Sequence, residues 1–207
     1  MYTPSAFAVD DRNEIFAALR AVPLASYITA HADGPQCTAL PLFLEAEEGE
    51  TGVLYGHFAR ANPHWRAEVL GDALVVFQGP DAYVSPGWYA TKRETGKVVP
   101  TWNYAAVHVH GTPEYFDDPE RLRSVVSRLT DRHEAGRPAP WGLGDAPADF
   151  VTSHLRGIVG LRLPISRIEG KRKMSQNRSE ADRRGVAAGL SASPRETDRI
   201  VAGMIPD

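Results

Sequence analysis

Three runs between Leu24 and Phe58 decide the fold: LASYITAH over 24–31, QCTALPLFL over 36–44 and GVLYGHF over 52–58. Each is rich in β-branched, aromatic or leucine residues, and they are separated by Asp33-Gly34-Pro35 and by an acidic turn around Gly49. Strand formers punctuated by turn residues predict three strands, and such short links allow only antiparallel neighbours. The core of the fold is therefore an antiparallel meander.

Working outward, Asp10 or Asp11 caps a helix carrying Ile15, Phe16 and Leu19 at helical spacing, and Pro23 ends it. Asn62-Pro63 reads as a helix start, because Asn caps and Pro suits the first helical position; the pattern predicts a helix through Trp65 and Val69 to Gly71. Strands are predicted over Ala73–Gln78 and Ala82–Ser85, followed by a connection from Pro86-Gly87 to Pro100 and a long strand over Asn103–Thr112. Asp118-Pro119-Glu120 opens a helix with Leu122, Val125, Val126 and Leu129 on one face. After a Gly- and Pro-rich loop over 136–147, a short helix around Phe150–Leu155 precedes a last strand, Gly157–Ile168, interrupted at Pro164. Ser179 begins a helix ending at Gly189, and Ser193-Pro194 begins a terminal one.

This order predicts a mainly β fold with helices, of the α+β class: a small antiparallel barrel with peripheral helices and a helical C-terminal tail. A single domain over 1–207 is expected, with the barrel and its inserted helices in 1–170 and a basic segment and helical tail in 171–207. A doubly wound nucleotide fold is disfavoured, since no GxGxxG or GxxxxGKS turn follows any predicted strand.

Composition narrows the function classes. A charged fraction of 24% and a hydrophobic fraction of 43% are those of an ordinary globular chain. No aliphatic or aromatic run is longer than that of Ala73 to Phe77, far short of the roughly 20 residues that cross a bilayer, and Asp10, Asp11 and Glu14 sit where a secretory signal would be apolar. A cytoplasmic location without membrane contact is expected. Cys37 is the single cysteine, which leaves no intrachain disulfide and no cysteine-based zinc site. The net charge of −3 makes the whole chain a poor polyanion binder, yet 167–184 holds seven Lys or Arg against three acids.

Three clusters carry chemistry. Gly56–Trp65 (GHFARANPHW) packs His57, Arg60, Asn62 and His64 into a strand-to-helix connection, where unpaired N–H groups and an arginine would favour an anion. The bland alternative is a well-capped surface turn. YVSPGWY (83–89) and VPTWNY (99–104) bring Thr101, Trp102 and Tyr104 to sheet ends, where aromatics stack on a flat heterocycle and polar tips bond its rim, unless they are core or dimer contacts. Lys173, Ser175, Gln176 and Asn177 lie in a basic, amide-rich stretch able to serve a phosphate and a polyol, or merely a solvated surface. His108 and His110 share a strand face, but a third metal ligand is lacking, and no nucleophile elbow marks a hydrolase.

In this order GHFARANPHW, YVSPGWY, VPTWNYAAVHVHG and KRKMSQNRSEADRRGVAAGL resemble the sequence blocks of the PaiB-type FMN-binding negative transcriptional regulators. The resemblance spans nearly the whole chain. It implies an FMN-binding split β-barrel related to the pyridoxamine-phosphate-oxidase and flavin-reductase group, forming a homodimer with FMN in clefts at the subunit interface. It makes Arg60, Asn62 and His64 phosphate or ribityl candidates, Lys173, Ser175, Gln176 and Asn177 a second such set, Trp102 and Tyr104 candidates for the flavin ring, and His57 and Thr101 further cofactor-binding candidates. Repression, directly on DNA or through a regulatory partner, is the family's named role, although no helix-turn-helix is visible. An FMN-dependent oxidoreductase is the competing expectation.

Overall fold

A computed structural model describes all 207 residues. Ten strands and six α-helices follow one another. The first half holds β1 (Ala8–Val9), α1 (Arg12–Ala21), β2 (Leu24–His31), β3 (Gly34–Pro41), β4 (Phe43–Glu45), β5 (Val53–Ala59), β6 (Ala73–Val84) and α2 (Ala90–Thr95). The second holds β7 (Thr101–Gly111), β8 (Glu114–Phe116), α3 (Pro119–Glu134), α4 (Ala148–Leu155), β9 (Ile158–Pro164), β10 (Arg167–Lys173), α5 (Glu180–Ser191) and α6 (Glu196–Gly203). The chain forms two compact units. A central unit comprises 19–77 and 108–168; a terminal unit comprises 1–18, 78–107 and 169–207.

In the central unit β2 pairs antiparallel with β3 from Leu24↔Pro41 to His31↔Gly34, and with the first residues of β6 at Ser26↔Val76. Alternation along β2 buries Ala25, Tyr27, Thr29 and His31 on one face. A second antiparallel sheet has the order β4-β5-β9-β8, with His57 opposite Gly160. The run read as one strand over 36–44 divides at Leu42, whose N–H bonds the Pro23 carbonyl, so β3 and β4 join different sheets. Gly56 makes that division possible: a Cβ there would stand 2.4 Å from Leu42 Cδ2. Phe43, Phe116, Leu122, Val125, Leu129, Val151 and Leu155 form one apolar cluster under α3 and α4. Asp118 caps α3 as its sequence requires, accepting from Arg121 N at 2.8 Å.

The terminal unit holds the strand order β1-β10-β7-β6. The two strands expected over 73–78 and 82–85 are one continuous strand, because Gly79 lets β6 approach Ala105 to 3.1 Å of its would-be Cβ. The connection after Pro86 contains α2, whose C-cap Gly96 adopts φ 67°. The last expected strand is two strands, and the second, β10, runs through Lys171, Arg172 and Lys173. The basic segment is thus partly strand, which puts Lys171 and Lys173 on one face and Arg172 on the other. Helices α5 and α6 pack Val186, Leu190, Val201 and Ala202 against Ala82, Val84, Tyr89 and Met174. Gly185 and Gly189 let α5 lie directly on Trp88.

Candidate functional site

The helix expected from Asn62 to Gly71 is only a four-residue 3-10 turn, Pro63–Arg66. Asn62 does cap it, accepting from His64 N at 3.0 Å, but the backbone beyond is drawn to the edge of β2: Leu70 N donates to the Ala30 carbonyl, and His31 Nδ1 to the Glu68 carbonyl at 2.6 Å. Tertiary hydrogen bonds outweigh the local start signal. With no extended helix, there is no macrodipole to attract an anion.

The side chains of this turn are spent within the central unit. His64 is buried, with Nε2 at 2.6 Å from Thr29 Oγ1 and Nδ1 at 2.7 Å from Thr38 Oγ1. Thr29 Oγ1 also lies 2.6 Å from His31 Nε2, and Asn62 Nδ2 donates to Thr38 Oγ1 at 3.3 Å. A carbonyl only accepts, so His31 Nδ1 carries the proton toward Glu68. When both imidazoles are neutral this fixes the rest: Thr29 donates to His31, His64 Nε2 donates to Thr29, Thr38 donates to His64 Nδ1, and Asn62 donates to Thr38. The chain of donors runs one way without a gap. Burial, and secondarily the neighbouring His31, lower the His64 pKa and favour that neutral state.

Arg60 is similarly committed. Its Nε donates to the Arg156 carbonyl at 2.8 Å, one terminal nitrogen to the Ile158 carbonyl at 3.0 Å, and the other faces Asp117 at 3.5 Å. It closes the C-terminal end of α4 and the start of β9, where carbonyls lack helical partners. Trp65 Nε1 donates to the Arg60 carbonyl. His57 differs from these: its Nδ1 is buried and has no hydrogen-bond partner, and burial lowers its pKa. An orphaned buried nitrogen is rare enough to require a reason.

In the terminal unit the structure brings most of the other candidates together. Lys173 Nζ donates to Thr101 Oγ1 and, at 2.8 Å, to the Trp102 carbonyl. Asn103, fully buried, exchanges hydrogen bonds with Ser175 at 3.0 and 3.1 Å. Ser175 has φ 61°, a left-handed conformation uncommon outside glycine, and its carbonyl accepts from Arg178 N. Gln176 spends both ends of its amide on the backbone, accepting from Met174 N and donating to the Arg172 carbonyl. Asn177 is exposed. Trp102 is 48% exposed, with Tyr83, itself 43% exposed, packed edge-on at 6.0 Å between ring centres.

Lys171, outside the candidates expected from the sequence, completes this cluster. It is buried, donates to the Tyr2 carbonyl at 3.0 Å and stands 5.0 Å from the Tyr104 ring centre. The signal was available: strand alternation puts 171 and 173 on one face. Lys173 is paired with a hydroxyl and a carbonyl, Lys171 with a carbonyl and aromatic faces, and neither meets a carboxylate. Burial, then Lys171, then Arg178 lower the Lys173 pKa. Uncompensated positive charge of this kind suits a phosphate monoester.

Residues 1–167 match the family model described as "Putative FMN-binding domain". The chain is also 32% identical to "Protease synthase and sporulation protein PAI 2" of Bacillus subtilis, over 100% of this chain and 97% of that protein. The chain belongs to this PaiB-type FMN-binding family. Its fold is the antiparallel split β-barrel with peripheral helices, shared with two solved structures. The flavocytochrome Anf3 of Azotobacter vinelandii has a TM-score of 0.58 at 18% identity, covering 81% of this chain and 69% of that one. An FAD and heme binding protein of Mycobacterium smegmatis has the same score and identity over 80% of this chain and 73% of its own. The PaiB-type cofactor is FMN, and the carboxylate-free lysine pair of the terminal unit has the charge that its phosphate requires. The family model stops before β10 is complete, whereas the B. subtilis protein aligns through the basic segment.

Proposed function

We propose that this protein is a homodimeric regulatory flavoprotein of the cytoplasm whose FMN phosphate is seated on Lys173, with Thr101, Lys171 and the 175–177 turn around it. The single observation that carries this reading is the pair of lysines on one strand face with no carboxylate partner. Trp102 offers an exposed aromatic face for the isoalloxazine, and Ser175 and Asn177 offer hydroxyl and amide groups to the ribityl chain. FMN, once bound, supplies a redox-active ring; the protein supplies charge, orientation and exclusion of water. Arg60 is left out of the flavin seat because its three guanidinium nitrogens are already engaged.

Dimerisation is supported by the apolar surface of the terminal unit, where Val99 is 64% exposed close in sequence to the half-exposed Trp102. The free thiol of Cys37 suits a reducing compartment. Regulation passes through a protein partner rather than through direct DNA contact. Several of the basic side chains that could face DNA are occupied: Arg172 pairs with Glu14, Arg183 donates to the carbonyls of Arg178, Pro206 and Asp207, and Arg184 pairs with Glu180. The test is a parallel titration of the purified chain with FMN and riboflavin, alongside light scattering. Tighter binding of FMN to a dimer is expected. Equal affinities would remove the phosphate seat, and sustained NADH or NADPH oxidation by the FMN-loaded protein would replace the regulatory reading with an oxidoreductase.

A further inference from the structure

The central unit contains a cavity of about 420 Å³, within the range of small-molecule sites, between the first turns of α3 and the C-terminal end of α4. Leu122 and Leu155 form its apolar floor, and both belong to the buried cluster under these helices. Its polar wall carries Arg60, Arg123 and Arg156 against Asp117 and Glu120. Arg60 and Asp117 face each other at 3.5 Å, so their charges largely cancel. Arg123 and Arg156 hold no carboxylate, which leaves two uncommitted guanidiniums beside one uncommitted carboxylate, Glu120.

We infer that this cavity binds a small organic carboxylate with a short apolar body. A guanidinium presents paired N–H donors that match a carboxylate's two oxygens, and the leucine floor accepts the hydrocarbon part. Glu120 disfavours multiply charged anions, because a second negative charge would lie against its own. None of its lining residues belongs to the Lys173 cluster. Arg60 frames it as a fixed wall, held by the Arg156 and Ile158 carbonyls, and leaves Arg123 and Arg156 to meet the ligand.

The experiment is isothermal titration calorimetry of the FMN-loaded full chain with hexanoate and benzoate as probes, and with hexanamide, benzamide and inorganic phosphate for comparison. Saturable binding of the carboxylates is expected, with the amides weaker by roughly tenfold or more, the scale of a lost charge-assisted pair. Arg123→Ala and Arg156→Ala should each weaken carboxylate binding by about tenfold while leaving the flavin spectrum and FMN affinity unchanged. Lys173→Ala should leave it unaltered. No saturable heat with either carboxylate, equal binding of acid and amide, or undiminished binding in the folded Arg123→Ala/Arg156→Ala double variant would each overturn the inference. Phosphate binding tighter than both carboxylates would do so as well, since it would show an inorganic anion site.

Discussion

The turn over 57–66 and the segment over 171–177 carry similar residue types, and the structure treats them in opposite ways. In the turn, Arg60, Asn62 and His64 each end on a carbonyl, a hydroxyl or a backbone N–H of the same unit. In the segment, the ammonium groups of Lys171 and Lys173 meet only neutral acceptors and rings. Charge already neutralised inside the fold contributes little to a ligand, because binding must first break what folding made. Charge held in place without a counter-ion is prepared for one. A cluster of ligand-type residues is therefore a site only where its internal hydrogen bonds leave charge or donors to spare.

The sharpest way to break this comparison is Lys173→Ala. It should weaken FMN by about 1.5 to 3 kcal/mol, roughly ten- to a hundred-fold, and riboflavin far less, since riboflavin lacks the phosphate. Equilibrium titrations with both flavins decide it: an equal loss for the two would mean that Lys173 supports the fold of the site and does not pair with phosphate. Next in size is Thr38→Val, which removes the hydroxyl between Asn62 and His64 while keeping the shape of the side chain. The buried His64 Nδ1 would then have no donor, and the cost should be about 1 to 3 kcal/mol of unfolding free energy, read from urea denaturation. An unchanged midpoint would show that the one-way chain of donors contributes nothing.

These two variants also separate what was readable in the sequence from what was not. The strands over 24–58, though not their division between two sheets, and the caps Asp11, Asp118 and Ser179 were legible because strand formers and capping residues act through neighbours a few positions away. The helix expected over 62–71 does not form, for a reason no window of sequence shows: the Glu68 carbonyl and the Leu70 N–H have better partners on β2, at His31 and Ala30. Strand β10 was hidden because Lys and Arg are poor strand markers, and with it the face shared by Lys171 and Lys173. Residue types in the four motif blocks located the candidates; the hydrogen-bond assignments that sort Arg60 from Lys173 depend on distances across the fold.

Arg60→Ala gives a smaller effect and bears on the other half of the comparison. Its donors are partly solvent-exposed, which limits their contribution, so a loss of about 1 kcal/mol in stability is expected. FMN affinity should stay within twofold of wild type, roughly the precision of a titration. A tenfold loss of FMN affinity with riboflavin unaffected would return Arg60 to the phosphate and make the occupied turn a flavin site after all.

The smallest effect expected is a pH dependence of stability that belongs to the turn and not to the lysine cluster. His57 and His64 both have pKa values lowered by burial, so the folded protein favours their neutral forms while the unfolded chain titrates at the ordinary value near 6.5. Between the folded and unfolded pKa values the unfolded chain binds more protons, and stability therefore rises with pH. The contribution is fully present above about pH 6.5 and is lost as pH falls through the lower folded values. A second proton on His64 would set an N–H against the Thr38 hydroxyl that donates to it, forcing that hydroxyl to turn its proton away and breaking the one-way chain there. Urea midpoints measured from pH 8 to pH 5 should be level at first and decline below about 6.5. His57→Gln should shallow that decline, since glutamine does not titrate. A flat profile down to pH 5.5 would show that both imidazoles protonate in the folded protein as easily as in the unfolded chain, and the neutral, fully assigned network around His64 would have to be abandoned.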